Sequence, residues 1–406
     1  VQSKTGLKKQ MDYVIRVHTS PLDIPADMWD ALLDQQDTPS PFMRHAYLSA
    51  METSGSACPT TGWEPRVISV MRQMTDQGGS MHETLAAAAV LYVKNHSYGE
   101  YVFDWAWADA YHRHGLEYYP KAVAAVPFTP VPGARLLADS AESKALLLDQ
   151  MVNLAKAEKW SSLHMLFLSD DDLVATQKAG WLSRHTVQFH WQNQKYKDFS
   201  HFLDNLSQDK RKKIKQERKK VHEAGVTFET LEGRGIQQSD WDFFYKCYAQ
   251  TYFEHGNAPY LSREFFQSMQ DDMPENWALF IASRNEKRMA CSLIAVQDKV
   301  AYGRYWGALE RVDCLHFEAC YYQPIDWCIA NGYQRFEGGA QGEHKMARAL
   351  LPVKASSAHW LSHPDFADAV ERYLEQEGRG IAAYLENLEA RSPLKKGHPT
   401  STPEGS

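Results

Sequence analysis

The chain has 406 residues, 44% hydrophobic and 23% charged, which is a globular composition long enough for two cores of ordinary size. A net charge of −7 excludes a globally basic nucleic-acid binder, and no run of about 18 apolar residues marks a membrane span. The opening stretch VQSKTGLKKQMDYVIRVH has no apolar h-region, so a secretory leader is not expected and a cytoplasmic location is.

Asp12–His18 alternates as a strand, and Pro25–Gln36 and Met43–Ser54 carry helical spacing. Arg66–Arg72 and Leu85–Lys94 are expected as strands around a Gly78–Gly79 turn, and the aromatic run Tyr101–Trp107 reads as another strand. Lys121–Val126 leads into the proline-punctuated segment Pro127–Gly133. Ser143–Lys159 is helical by its period, Leu163–Leu168 is a buried strand, and Asp170–Ala179 is a short helix stopped by Gly180. A second series follows: strand Val187–Trp191, a basic helix over 207–224, strand Val226–Leu231, and helices over 239–255 and 262–272. Ala278–Ser283, Met289–Gln297 and Val300–Trp306 form a meander with turns at Asn285–Lys287 and Asp298–Lys299. Cys314–Asn331 is a helix bent near Pro324, and Tyr333–Glu337 is a strand. The glycine loop Gly338–Gly342, the stretch Glu343–Leu350, a strand at His359–Ser362 and a helix over Asp365–Glu386 complete the chain.

These halves repeat one plan, expected as lobes over 12–186 and 187–386, with 1–11 and 391–406 as flexible ends. The order predicts an α/β fold of the α+β type, with central mixed, largely antiparallel sheets flanked by helices. No G-x-G-x-x-G follows a strand and no G-x-x-x-x-G-K-[ST] occurs, which argues against Rossmann and P-loop chemistry. Residues 209–223 hold eight Lys/Arg against three acids, leaving −12 on the rest. Only Ile214 and Val221 give that helix an apolar stripe, so it reads either as a solvated charged helix or as a seat for phosphates. Cys58, Cys247, Cys291, Cys314, Cys320 and Cys328 form no C-x-x-C and read as free thiols; Cys314, His316 and Cys320 lack a fourth ligand, so no metal site is expected.

Six strings then stand out in order: PFMRHAY at Pro41–Tyr47, HSYGEYVFD at His96–Asp104, YYPK at Tyr118–Lys121, PFTP at Pro127–Pro130, HFEACYY at His316–Tyr322 and EGGAQGEHKMAR at Glu337–Arg348. Together they resemble the FemAB-like family over about residues 12–380. The resemblance implies two tandem GNAT-like lobes. It also implies N-acyltransfer: an acyl or aminoacyl group passes from acyl-CoA or aminoacyl-tRNA, as co-substrate, to a small-molecule or peptide-like amine. No tightly bound cofactor is implied. The other reading is a non-catalytic protein that recognises a cell-wall precursor or peptide-like ligand.

Such transfer needs a base for the amine proton and donors for the tetrahedral oxyanion. Gln341, Glu343, His344 and Lys345 place amide, carboxylate, imidazole and ammonium within five residues. Glu343 or His344 is the expected base, with Lys345 and Arg348 holding an anionic donor; a solvated glycine turn is the plain alternative. Strand alternation puts Arg304 and Trp306 on one face and Tyr305 on the other, at the strand end where GNAT-like clefts open, or else in a core aromatic cluster. His316, Glu318 and Tyr322 open the following helix. Glu318 and Tyr322 share a face at i, i+4, making Glu318 a second candidate base, or an acid that offsets the helix dipole. Gly307–Asp313 (GALERVD), the position of the superfamily's pyrophosphate loop, carries two acids and one glycine and suits a pyrophosphate poorly. Lys210, Arg211 and Lys213 on the basic helix, similar to a helix of the bridge-forming relatives, are therefore candidates for donor phosphates, including those of tRNA. In the first lobe Lys94, Tyr98 and Tyr101 are expected either to line an acceptor groove between lobes or to pack as an aromatic interface. No nucleophile constellation is present, so direct attack is expected.

Overall fold

The computed structural model describes residues 12–75, 80–340 and 342–395. The Gly78–Gly79 turn, Gln341 and the outermost residues expected as flexible ends lie outside them. The chain divides into two compact units: Val1–Ser183 with Ser357–Glu371, and Arg184–Ser356 with Arg372–Ser406. Both are mixed α/β, with a sheet flanked by helices, and no described helix is long and apolar enough to cross a membrane.

The first unit runs β1 (Asp12–His18), α1 (Ala26–Leu33), α2 (His45–Thr53), β2 (Glu64–Thr75), β3 (Met81–Lys94), α3 (Trp105–Arg113), β4 (Lys121–Ala124), β5 (Leu137–Ala138), α4 (Ala141–Ala157), β6 (Ser162–Leu168) and α5 (Asp170–Lys178). The aromatic run read as a strand is loop and then helix, because Trp107 and Tyr111 repeat at helical spacing and are the pair that α3 buries. β1, β2, β3 and β4 pair antiparallel in that order, and β4 then pairs parallel with β6. That parallel ladder has three pairs, Ala122↔Leu163, Val123↔His164 and Ala124↔Met165, before β4 leaves. The returning chain takes up the rest of β6. Gly133 donates to Phe167 O (3.0 Å), its carbonyl accepts from Ser169 N–H (3.0 Å), and Arg135 Nε donates to Leu166 O (3.1 Å). Asp172 of α5 locks this plug: it accepts from the Arg135 (2.5 Å) and Leu136 (3.1 Å) amides and from the Lys144 ammonium (2.7 Å). α4 and α5 start on Ser140 and Ser169, whose hydroxyls accept from Ser143 and Asp172 N–H.

The second unit contains β7 (Leu182–Gln192, from Arg184 on), α6 (Phe199–Asp204), α7 (Gln208–Glu223), β8 (Val226–Glu232), α8 (Gln238–Glu254), α9 (Arg263–Asp272), β9 (Trp277–Arg284), β10 (Lys287–Gln297), β11 (Val300–Ala308), α10 (Leu315–Phe317), α11 (Gln323–Ala330), β12 (Arg335–Ala340), the first half of β13 (Leu351–Leu361) and most of α12 (Pro364–Ala390). β8, β9, β10 and β11 form an antiparallel meander; β12 pairs parallel with β11 and antiparallel with β7. The expected glycine loop begins later than its glycines suggest, because Gly338 and Gly339 still belong to β12. β13 is far longer than the expected His359–Ser362. Its last residues and the start of α12 join the first unit, where His359 meets His164 (Nδ1 to Nδ1, 2.7 Å) and Phe366 packs on Tyr111. The core of the second unit gathers Phe189, Trp191, Phe202, Phe280, Tyr322 and Phe336, all almost fully buried.

Candidate active site

Two local irregularities open a cleft in the second unit. The β11–β12 ladder also has three parallel pairs, Val300↔Arg335, Ala301↔Phe336 and Tyr302↔Glu337, after which the strands part. Opposite this point β10 pairs Leu293 with Tyr305 but Ile294 with Gly303, so Arg304 is the extra residue of a β-bulge. The bulge breaks the expected alternation. The Arg304 guanidinium lies over the Tyr305 ring (5.5 Å), and Tyr305 packs among Phe244, Tyr248, Phe266 and Trp277. Trp306 instead meets His316 edge-on at 5.4 Å.

The other wall is a turn of π-helix, Glu318–Tyr322, set between α10 and α11. Such turns are rare and reposition the side chains they carry. The Ser292 hydroxyl of β10 donates to Ala319 O in this turn (2.5 Å). The resulting cleft, ≈150 Å³, is lined by Ser292–Ile294, Gly303–Trp306, His316, Cys320, Tyr321, Phe336, Gly338 and Lys345. Gly303 is needed because a Cβ there would sit 2.8 Å from Phe336 Cζ, and at Gly338 one would sit 2.3 Å from Leu350 Cδ2.

Lys345 lies on a 3₁₀ turn, Glu343–Arg348, and is buried; its ammonium donates to Gly338 O (2.6 Å) and Gly339 O (3.2 Å). Burial, and then the charge of Arg304, bring its pKa down to about 8. His316 keeps an exposed side. Crowding, and then the charges of His344, Arg348 and Lys345, nevertheless hold its pKa down to about 4, so its imidazole is neutral at pH 7. Behind Phe336, Glu337 is buried and paired with Arg335 (3.0 Å). Burial outweighs Arg335 and Arg304 and pushes its pKa up to about 7.

Several expected site residues stand elsewhere. Glu343 is exposed and accepts from Tyr384 (2.7 Å) and Arg391 (3.2 Å), whose bonds hold its carboxyl below the usual range; it does not line the cleft. His344 is exposed beside Phe317 and Tyr321, its pKa lowered by crowding and then by Arg348 and Lys345. Glu318 and Tyr322 do share a face, but it looks onto α7 and not into the cleft. Glu318 accepts from Arg218 Nε (3.1 Å) and Gln323 (2.7 Å), and the Tyr322 hydroxyl donates to Glu217. Arg348 is equally committed, donating to both Glu217 oxygens (2.9 and 3.0 Å) and to His344 O (2.7 Å). The loop after β11 keeps Glu310 against Arg284 (2.6 Å) and Lys287 (3.2 Å).

On α7 the inner residues Ile214, Glu217 and Val221 are buried. Lys212, Lys213, Lys215 and Lys220 are exposed, while Lys210 and Arg211 are half-buried, with Arg211 3.5 Å from Asp204. In the first unit Tyr98 (64%) and Tyr101 (37%) are exposed, but Lys94 is wholly buried 3.4 Å from the Trp63 ring centre, where burial brings its pKa down to about 7. Beside it Lys121 binds Glu100 (2.8 Å), Asp104 and Ser97 (2.7 Å), so this loop buries its charges. Sequence reasoning missed Ser292, Cys320, Tyr321 and Glu217. A bulge, a π-turn and an acid hidden in a basic helix leave no periodic signal.

Solved structures share this fold. FemX is 12% identical, with a TM-score of 0.53, and the match covers 89% of this chain and 100% of FemX. The C-terminal DUF2156 domain of a protein named as a lysylphosphatidylglycerol synthetase from Agrobacterium fabrum is 11% identical (TM-score 0.50; 85% and 94% covered). L-PGS from Bacillus licheniformis is 10% identical (TM-score 0.50; 88% and 98% covered). No curated protein matches. The FemAB-like family, described by peptidoglycan biosynthesis/recognition, matches residues 20–396, and this chain belongs to it.

Proposed function

We propose that the second unit is an N-acyltransferase that moves an acyl or aminoacyl group from an activated donor to an amine at the β11–β12 cleft. The observation that carries this reading is the cleft itself. Strand edges released from pairing border it, and its described lining holds Arg304, Lys345 and a neutral imidazole but no carboxylate. An extended donor would pair with the released backbone edge, with its carbonyl near Lys345 and Arg304, which would stabilise the developing oxyanion. The neutral His316 imidazole would take the amine proton in a direct attack without a covalent enzyme intermediate, and as the tetrahedral species collapses the bond from the acyl carbon to its carrier breaks, the carrier leaving as a hydroxyl or thiol with that proton. The small volume suits a short acyl or amino-acid group. The lysine-bearing outer face of α7, with the acid at Glu310, favours a donor whose phosphates lie along the helix, as in aminoacyl-tRNA, over acyl-CoA.

A second reading, a non-catalytic binder, is favoured by two observations: the Lys345 ammonium already meets two carbonyls, and among the described residues no carboxylate lines the cleft. The test is calorimetric binding of acetyl-CoA, free CoA and a mixed aminoacyl-tRNA pool, followed by single-turnover transfer to lysine-containing peptides. Transfer that Lys345→Met abolishes while donor binding persists supports the enzyme. Saturable binding with no transfer to any amine supports the binder. Micromolar CoA binding overturns the preference for a tRNA donor.

A further inference from the structure

The two walls of the cleft are carried by separate segments, and one buried side chain ties both to the basic helix. Residues of the π-helical wall divide by direction. His316, Cys320 and Tyr321 line the cleft, while Phe317, Glu318 and Tyr322 turn away from it. The 3₁₀ turn divides likewise, with Lys345 in the cleft and Arg348 behind it. Arg348 is 2% exposed. Its guanidinium stacks 3.4 Å from the Phe317 ring centre, donates to His344 O within its own turn (2.7 Å) and grips both oxygens of Glu217 (2.9 and 3.0 Å). The same Glu217 carboxylate accepts from the Tyr322 hydroxyl. Glu217 is an acid on the inner face of a helix whose other charges are mostly cations, and the next residue, Arg218, holds Glu318.

We propose that Arg348, anchored by Glu217, is a positioning residue that sets the spacing between the His316–Tyr321 wall and the Lys345 wall. A planar guanidinium suits this role, because it stacks on one wall and hydrogen-bonds within the other while reaching α7, and an ammonium cannot do all three. The outer lysines of α7 and the reactive cleft are thereby parts of one framework. This gains its meaning from the transfer reading above, but it is tested without donor or acceptor, so the two fail separately.

The test follows Cys320, which lines the cleft, by maleimide labelling mapped with peptide mass spectrometry, and His344 by its proton NMR titration. In Arg348→Lys the charge stays and the fork is lost: Cys320 labels several-fold faster, while the His344 titration stays where it is in the wild type. In Arg348→Met, labelling rises similarly and the His344 midpoint moves up, because a neighbouring cation has gone. Unchanged Cys320 labelling in a cooperatively melting Arg348→Lys overturns the proposal. If either Arg348 variant melts too early to read, Tyr322→Phe removes only the hydroxyl from Glu217. A smaller increase in labelling is then expected, and none overturns the proposal.

Discussion

Each unit contains a parallel strand pair that parts after three residue pairs, and the two solve the resulting gap in opposite ways. In the first unit the chain itself fills it: Gly133 and Arg135 satisfy the freed edge of β6, and Asp172 pins them. In the second unit no described segment returns to fill the gap. The Gly338 and Gly339 carbonyls beyond the ladder accept from the Lys345 ammonium, and a cleft remains. The same topology thus yields a stabilising plug in one place and a candidate site in the other. The residues that follow the parting strand, not the strands, decide which.

The sharpest way to break this contrast is Asp172→Ala. It strands two backbone amides and leaves the buried Lys144 ammonium with Asp171 alone (2.5 Å), so the first unit should lose about 2–5 kcal/mol in chemical denaturation. A loss near zero would mean that the plug is not held by this carboxylate. Lys345→Met tests the other side. It should lower transfer by about 10²-fold or more and move the melting midpoint little. Transfer at the wild-type rate would remove Lys345 from the mechanism.

A pH series sharpens the comparison. Lys345 has a folded pKa of about 8, below the unfolded lysine value of about 10.4. Between these values the unfolded chain binds the proton and the folded chain does not, so the lysine's contribution to stability rises with pH across that window. The transfer rate should instead fall above about pH 8 as the ammonium is lost. A rate unchanged up to pH 9.5 would argue against a charged Lys345 at the reacting carbonyl. The smallest effect is expected from Glu343→Gln, since that side chain points to α12: transfer should stay near the wild-type rate, and a large loss would restore Glu343 as the base.

Much of the fold was legible because burial writes a period into the sequence. The fully buried β6, the β9–β11 meander and α7 stand close to where alternation and composition put them. The site was legible only as a neighbourhood. The string Gly338–Arg348 does deliver Lys345, but a 3₁₀ turn sends Glu343, Lys345 and Arg348 to three different surroundings. Glu318 and Tyr322 were rightly placed on one face, yet which neighbour that face meets is a tertiary fact. Likewise Arg304 stands on a bulge that only the pairing with β10 defines.

The return of the chain to the first unit at Ser357 bears on the order of events during synthesis. The first unit stays incomplete until nearly the whole second unit has left the ribosome; the His164–His359 contact alone spans 195 residues. Contacts so distant in sequence form late and slow folding. A fragment ending near Ser183 would lack a strand and part of its core, including Ala358. The unit that emerges first therefore waits through most of the second unit's synthesis, and it would need protection from aggregation while it waits.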